Sequence, residues 1–174
     1  MHTINRRSAL PFAAMVALLF LGVTLQTLAQ SAKDQLVGTW TLVSIYIEAP
    51  DGSRFNPFGA DPTGILIMDG NGHISVQLIG SGVRKFESKN RLDGTPEENK
   101  AVVQRTLCYF GTYSVDDADR TLKIHIESSS YPNWSGTDQK RFLALTGDEL
   151  NWTNPTASTG ESGFTGHTVW KRAK

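Results

Sequence analysis

The feature of the sequence that most constrains the fold is a series of short strand-like segments separated by turn signals. The clearest signal is Asp69-Gly70-Asn71-Gly72, which lies between TGILIM and HISVQLI and supplies the positive φ angles of a tight hairpin turn. In HISVQLI, the apolar Ile74, Val76 and Leu78 alternate with polar residues, which is typical of a strand with one buried face. This pattern predicts an antiparallel, all-β chain.

The turn signals predict eight strands and one short helix. The strands are Leu36–Glu48, Thr63–Met68, His73–Ile79, Tyr109–Val115, Leu122–Glu127, Gln139–Leu145, Glu149–Thr153 and Phe164–Lys171. The mid-chain helix is Pro96–Leu107, with Thr95 as its N-cap and proline at its first position. We expect its apolar side to cover one mouth or one side of the sheet. Since so little helix is available for shielding, the strands must form a sandwich or a closed barrel.

The first 29 residues are predicted to be an export signal that is cleaved near Ala29. Arg6 and Arg7 precede an apolar run, and small residues follow at the spacing that a signal peptidase accepts. The apolar run is shorter than the ~20 residues of a membrane span, so we expect no stable membrane anchor after cleavage. Residues 30–174 then form one domain, and the protein is periplasmic or secreted.

Composition excludes some classes of partner. Residues 30–174 contain 15 basic and 17 acidic residues, a net charge of −2, so the domain lacks the basic surface that nucleic acid requires. Cys108 is the single cysteine, and an intramolecular disulfide is therefore impossible. The sequence holds none of the common nucleophile, zinc-protease or phosphate-loop motifs.

Several segments resemble the lipocalin-like domain family. They are PFGADPTGILIMDGNGHISVQL, YFGTYSVDDADRTL, IHIESSSYPNWSGTDQKRF and LTGDELNW, and the resemblance covers Leu36 to Arg172. It implies an eight-stranded antiparallel calycin-type barrel. It also implies that Trp40, in the motif Gly38-x-Trp40, plugs the closed end while Lys171 or Arg172 lies across its ring as a cation–π partner. By the same resemblance the ligand is small and mainly apolar, and no catalytic residue is implied.

Within such a barrel, four residues are predicted to line a ligand site: Tyr113, His125, Trp134 and Arg141. The segment YPNWSGTDQKR offers an aromatic face in Trp134, and Arg141 is the candidate anchor for a carboxylate or phosphate. Two alternatives stay open, namely a structural loop fastened by Trp134 and a salt bridge between Arg141 and Glu127.

Other roles are also open at this stage. His73, His125 and His167 would form a metal site only if the fold brought them together, and we predict neither a metal nor a cofactor. His125 with Tyr109, Tyr113 or Glu127 could instead be an acid–base pair of a cofactor-free isomerase or cyclase. A filled barrel that serves as an interaction module is a third possibility. The expected function is binding of a small hydrophobic or amphiphilic molecule, without catalysis.

Overall fold

The computed structural model describes residues 31–158 and 162–174, and it shows one antiparallel β-sheet that closes into a barrel. The predicted export signal lies outside the described residues. The strands are β1 (Gly38–Glu48), β2 (Arg54–Phe55), β3 (Thr63–Met68), β4 (His73–Ile79), β5 (Thr106–Asp116), β6 (Thr121–Ser129), β7 (Thr137–Thr146), β8 (Glu149–Asn154) and β9 (Thr165–Arg172). The predicted eight-stranded antiparallel barrel is thereby confirmed, with the two-residue β2 as an addition that pairs with β1.

Pairing between the first and last long strands closes the barrel. The register of β1 and β9 runs from Trp40 opposite Arg172 to Glu48 opposite Thr165, and the strands between them pair in chain order. The hairpin between β3 and β4 uses Gly72 at φ +96°, a conformation that glycine adopts without a steric penalty. The start of β1 and the end of β9 therefore lie at one end of the barrel. The end of β1 and the start of β9 lie at the other.

The end near Gly38 is closed by Trp40. Its side chain is fully buried, and its indole Nε1 donates a 2.9 Å hydrogen bond to the carbonyl oxygen of Leu36. The guanidinium of Arg172 lies 4.2 Å from the centre of the indole ring and donates hydrogen bonds to the carbonyl oxygens of Val37 and Gln35. The basic residue on the ring is thus Arg172, while Lys171 points outward and is exposed.

The glycine of the Gly38-x-Trp40 motif provides room for this arrangement. Gly38 has φ +136°, and a Cβ at this position would lie 3.0 Å from Nη1 of Arg172. A side chain here would therefore be strained in its backbone and would also crowd the guanidinium.

Helices contribute little to the core. The described helices are α1 (Ala32–Leu36), α2 (Pro96–Gln104) and the 3₁₀ turn Pro132–Trp134. Thr95 and Glu98 form a capping box at the start of α2, which ends three residues earlier than predicted because β5 already begins at Thr106. All of α2 is described, and none of its residues is fully buried: Ala101 and Val102 are half-buried, whereas Val103 is 73% exposed. The helix therefore shields little of the barrel. No helix among the described residues has the length and apolar character needed to cross a membrane.

Candidate ligand-binding cavity

A cavity occupies the half of the barrel opposite to Trp40. Its wall is mainly apolar and aromatic, and its residues come from β1, β4, β5, β7, β8, β9 and the adjoining loops: Ile45, Ile47, Pro57, Phe58, Val76, Leu78, Leu107, Tyr109, Trp134, Arg141, Trp152, Asn154, Ala157, Ser158, Gly166, Thr168 and Trp170. The empty space is about 500 Å³ when the open mouth is included.

Arg141 is the one charged residue among the described residues that line the cavity. Its relative exposure is 1%, whereas the next residue, Phe142, is 49% exposed on the outside of the barrel. Strand β7 therefore turns an arginine inward and a phenylalanine outward, the reverse of the usual preference. The cross-strand pairs Leu122–Arg141 and Leu143–Trp152 fix this register, and a slip by one residue would turn the whole strand over.

Polar partners of Arg141 come mainly from its own strand. Its Nη1 donates to the backbone oxygen of Lys140 at 2.7 Å, to Oδ1 of Asn154 at 3.1 Å and, more weakly, to Oε1 of Gln139 at 3.4 Å. No carboxylate of the described residues lies within ion-pair distance of it; in particular, the salt bridge to Glu127 is not formed, since Glu127 is exposed on the outer face of β6.

Aromatic rings surround this guanidinium. It lies 5.5 Å from the centre of the Trp134 ring and 5.8 Å from that of Trp152, distances at which cation–π attraction operates. Tyr109 packs edge-on against Trp134 with ring centres 5.6 Å apart, and Trp152 is tilted against Trp170 at 6.1 Å. The rings hold the side chain of Arg141 in place and leave apolar surface facing the cavity.

Burial changes the acidity of both titratable groups in the cavity. It raises the pKa of the Tyr109 phenol, and the positive charge of Arg141 offsets part of that rise. Burial likewise lowers the pKa of Arg141, with a partial offset from Tyr109. At neutral pH the phenol keeps its proton, and an arginine in a protein keeps its charge.

Of the four predicted site residues, the structure brings Trp134 and Arg141 together in the cavity and places the other two elsewhere. Tyr113 lies nearer the end closed by Trp40, where its hydroxyl donates a 2.8 Å hydrogen bond to the backbone oxygen of Asp69. Burial is the main cause that raises the pKa of Tyr113 to about 12, and the negative charges of Asp69 and Asp34 add to it. Tyr113 is therefore a neutral hydrogen-bond donor on the far side of the core.

His125 lies on the outer surface of β6. Its ring is more than half exposed and makes a 2.8 Å contact between Nδ1 and the carboxylate of Asp138. The cause is strand alternation: Ile124 and Ile126 point into the barrel, so the residue between them points out. It cannot act together with Tyr109 inside the cavity.

The histidines considered as metal ligands are apart from one another. His73 contacts Asp69, His125 contacts Asp138, and His167 stacks on Tyr46 with ring centres 4.7 Å apart. Within residues 31–158 and 162–174, no three His, Cys, Asp or Glu side chains are grouped closely enough to hold a metal ion.

Sequence reasoning missed Trp152, Trp170 and Asn154 as cavity residues. A signal existed for the first, because Leu150 and Trp152 alternate with polar residues in ELNWTN and must share the inner face of β8. In β9, Trp170 alternates with the exposed Lys171 and therefore lies on the inner face of that strand. Asn154 ends its strand, and no sequence pattern distinguishes it from a turn residue.

A closed antiparallel barrel with one sealed end and one hollow end defines a calycin-like protein. A family model described as "Lipocalin-like domain" matches residues 37–173, and the chain belongs to that family. The resemblance seen in the sequence is thereby confirmed.

One curated relative is a carrier. The chain is 36% identical over 95 residues to the 4'-hydroxy-3'-methoxypropiophenone carrier protein ppsC of Aspergillus oryzae, a match that covers 50% of this chain and 86% of the relative.

Proposed function

We propose that the protein is an exported carrier that binds a small, mainly apolar aromatic molecule in the cavity at the open end of its barrel. The observation that carries the proposal is the hollow itself, which is sealed at one end by Trp40 and walled by aromatic rings at the other. Concave, mostly apolar sites with a few polar groups are the usual form of small-molecule sites. The relation to a carrier of an aromatic ketone supports the same conclusion.

The chemistry of the cavity favours carriage over catalysis. An isomerase or cyclase that moves a proton needs a base poised near neutral pH. The described residues that line the cavity include no His, Asp, Glu, Lys or Cys, and the two titratable ones, Tyr109 and Arg141, both keep their protons at pH 7. The site offers hydrogen-bond donors and apolar walls, which bind and orient a molecule.

Titration with 4'-hydroxy-3'-methoxypropiophenone tests the binding site directly. Burial of about 300 Å² of apolar ligand surface contributes about 7 kcal/mol before association costs. With the hydrogen bonds of the cavity added, we expect saturable one-to-one binding with a Kd on the order of 10 to 100 micromolar, measured by isothermal titration calorimetry.

A cavity-filling variant locates the bound molecule. Thr168 lines the cavity on β9, whereas Lys171 on the same strand is exposed outside. Thr168→Phe should weaken binding at least tenfold, because the larger side chain would occupy the space of the ligand. The matched outer-face variant Lys171→Phe should leave the affinity unchanged. Equal affinities in the two variants, or no saturable binding by the unmodified protein, would reject the proposed site.

Native mass spectrometry of protein purified from its own host tests both the presence of a bound ligand and the cleavage of the export signal. Native mass spectrometry should show a co-purifying mass of a few hundred daltons that dissociates on unfolding, and a chain that lacks residues 1–29. A chain with its first 29 residues intact and confined to the cytoplasm would contradict export, and a bare polypeptide mass in the folded state would weigh against a resident ligand.

A further inference from the structure

We infer that the cavity selects an aromatic acid in its ionised form, with the ligand's carboxylate held by Arg141 and its ring lying among the cavity's aromatic side chains. This inference rests on the proposed function and specifies the chemical class of its ligand. Three features support it: a buried charge without a counter-ion, hydrogen bonds from that charge that go only to uncharged acceptors, and a buried indole N–H without an acceptor.

The first feature is the isolated positive charge. A buried ion that lacks a partner is costly, and buried arginines are normally paired with carboxylates. Arg141 is 1% exposed and has no ion pair within the part of the chain that the structure describes. The Trp134 and Trp152 rings attract the cation but supply no negative charge. A ligand carboxylate would supply the missing counter-ion from outside the chain.

The second feature is the distribution of hydrogen bonds on the guanidinium. An arginine carries five N–H donors in a planar fork. All three hydrogen bonds to Gln139, Lys140 and Asn154 leave from Nη1. The Tyr109 phenol is a further hydrogen-bonding neighbour of the guanidinium, and it too is uncharged at neutral pH. A carboxylate matches two parallel N–H groups, which is the strongest form of arginine recognition.

The third feature is the indole of Trp170. Its ring is 1% exposed and lines the cavity, and its Nε1 has no hydrogen-bond partner among the described residues. A buried donor without an acceptor is uncommon in native proteins. Together with Arg141 it makes the polar part of the cavity rich in donors, whereas the carboxylates of the described residues all lie outside the lining. Such a cavity favours an acceptor-rich anion over a neutral molecule of the same shape.

A matched pair of probes separates the inference from the proposed function. The acid is 4-hydroxy-3-methoxycinnamate, and the neutral probe is its methyl ester, which keeps the ring and its substituents. At pH 7 we expect the unmodified protein to bind the acid at least tenfold more tightly than the ester, as measured by calorimetry, since charge-assisted bidentate pairing is lost in the ester.

Substitutions on β7 assign the preference to one side chain. Arg141→Met should reduce the acid-to-ester affinity ratio to about one or below, whereas Lys140→Met, which removes an exposed charge from the next residue, should leave the ratio at tenfold or more. Arg141→Lys keeps the charge without the planar fork and should give an intermediate ratio. This variant also serves as the test if Arg141→Met fails to fold.

The outcomes distinguish the two ideas. If both probes bind with equal affinity to the unmodified protein, or if the preference for the acid persists in Arg141→Met or is undiminished in Arg141→Lys, the inference is wrong and the carrier function stands. If neither of these probes nor the propiophenone binds, the proposed function fails and the inference fails with it. A preference that disappears with Arg141 and survives Lys140→Met supports both.

Discussion

Trp40→Ala is expected to lower the free energy of unfolding by about 4 kcal/mol, the size of effect seen when a large aromatic side chain is removed from a packed core. Trp40 is fully buried, donates a hydrogen bond to Leu36 and lies under the guanidinium of Arg172. Its removal leaves a cavity, an unsatisfied carbonyl oxygen and a cation without its ring. Urea unfolding followed by circular dichroism measures the loss.

Val43→Ala is the matched control for Trp40→Ala. Val43 lies on the same strand, and 56% of its surface is exposed on the outside of the barrel. Its truncation should change the free energy of unfolding by less than about 1 kcal/mol. If the two variants lost similar stability, Trp40 would not be the side chain that holds the closed end together.

The closed end of the barrel was predicted well, but its hairpins and its seal were predicted from different kinds of information. The hairpins are encoded by local sequence, and the four residues Asp69-Gly70-Asn71-Gly72 are enough to predict one of their turns. The contact between Trp40 and Arg172 joins the first and last long strands, and no local pattern encodes it. It was predicted through the family resemblance, and periodicity alone left a sandwich and a barrel equally open.

The open end was harder to predict, and β7 shows why. In the segment TDQKRF, Thr137, Gln139 and Arg141 form one face and Asp138, Lys140 and Phe142 form the other. Both faces are polar apart from Phe142, so the alternation does not identify the face that points into the barrel. Hydrophobicity would select the face of Phe142, which is the outer one. The register is imposed by the neighbouring strands, which the sequence of β7 does not contain.

The inverted face of β7 also connects the fold to the proposed function. Local rules of sequence and structure usually agree in natural proteins, and exceptions concentrate at functional sites. Here the exception is an inward arginine beside an outward phenylalanine, and it lies in the cavity wall. His125, by contrast, obeys the alternation of β6 and lies outside, so its position followed from the pattern of its own strand.

A glycine on β5 lies beside the bulge in β6. The pairing of β5 with β6 shifts register between Phe110 and Gly111, so that β6 contains an extra residue there before the turn that carries Trp134. Bulges of this kind bend the strand that holds the extra residue. Gly111 is therefore placed where the backbone of β6 leaves no room for a side chain.

Gly111→Ala is expected to reduce the free energy of unfolding by about 3 kcal/mol or more, because a Cβ at this position would run into the backbone oxygen of His125 and lie 2.9 Å from the amide nitrogen of Glu127. Backbone atoms in a paired strand cannot rotate away as a side chain can. Gly166→Ala is the control, since its Cβ would make ordinary 3.5 Å contacts with Asn154 and Ile47, and it should cost less than about 1 kcal/mol. Equal losses in urea unfolding would mean that the close approach at the bulge is not what requires glycine at position 111.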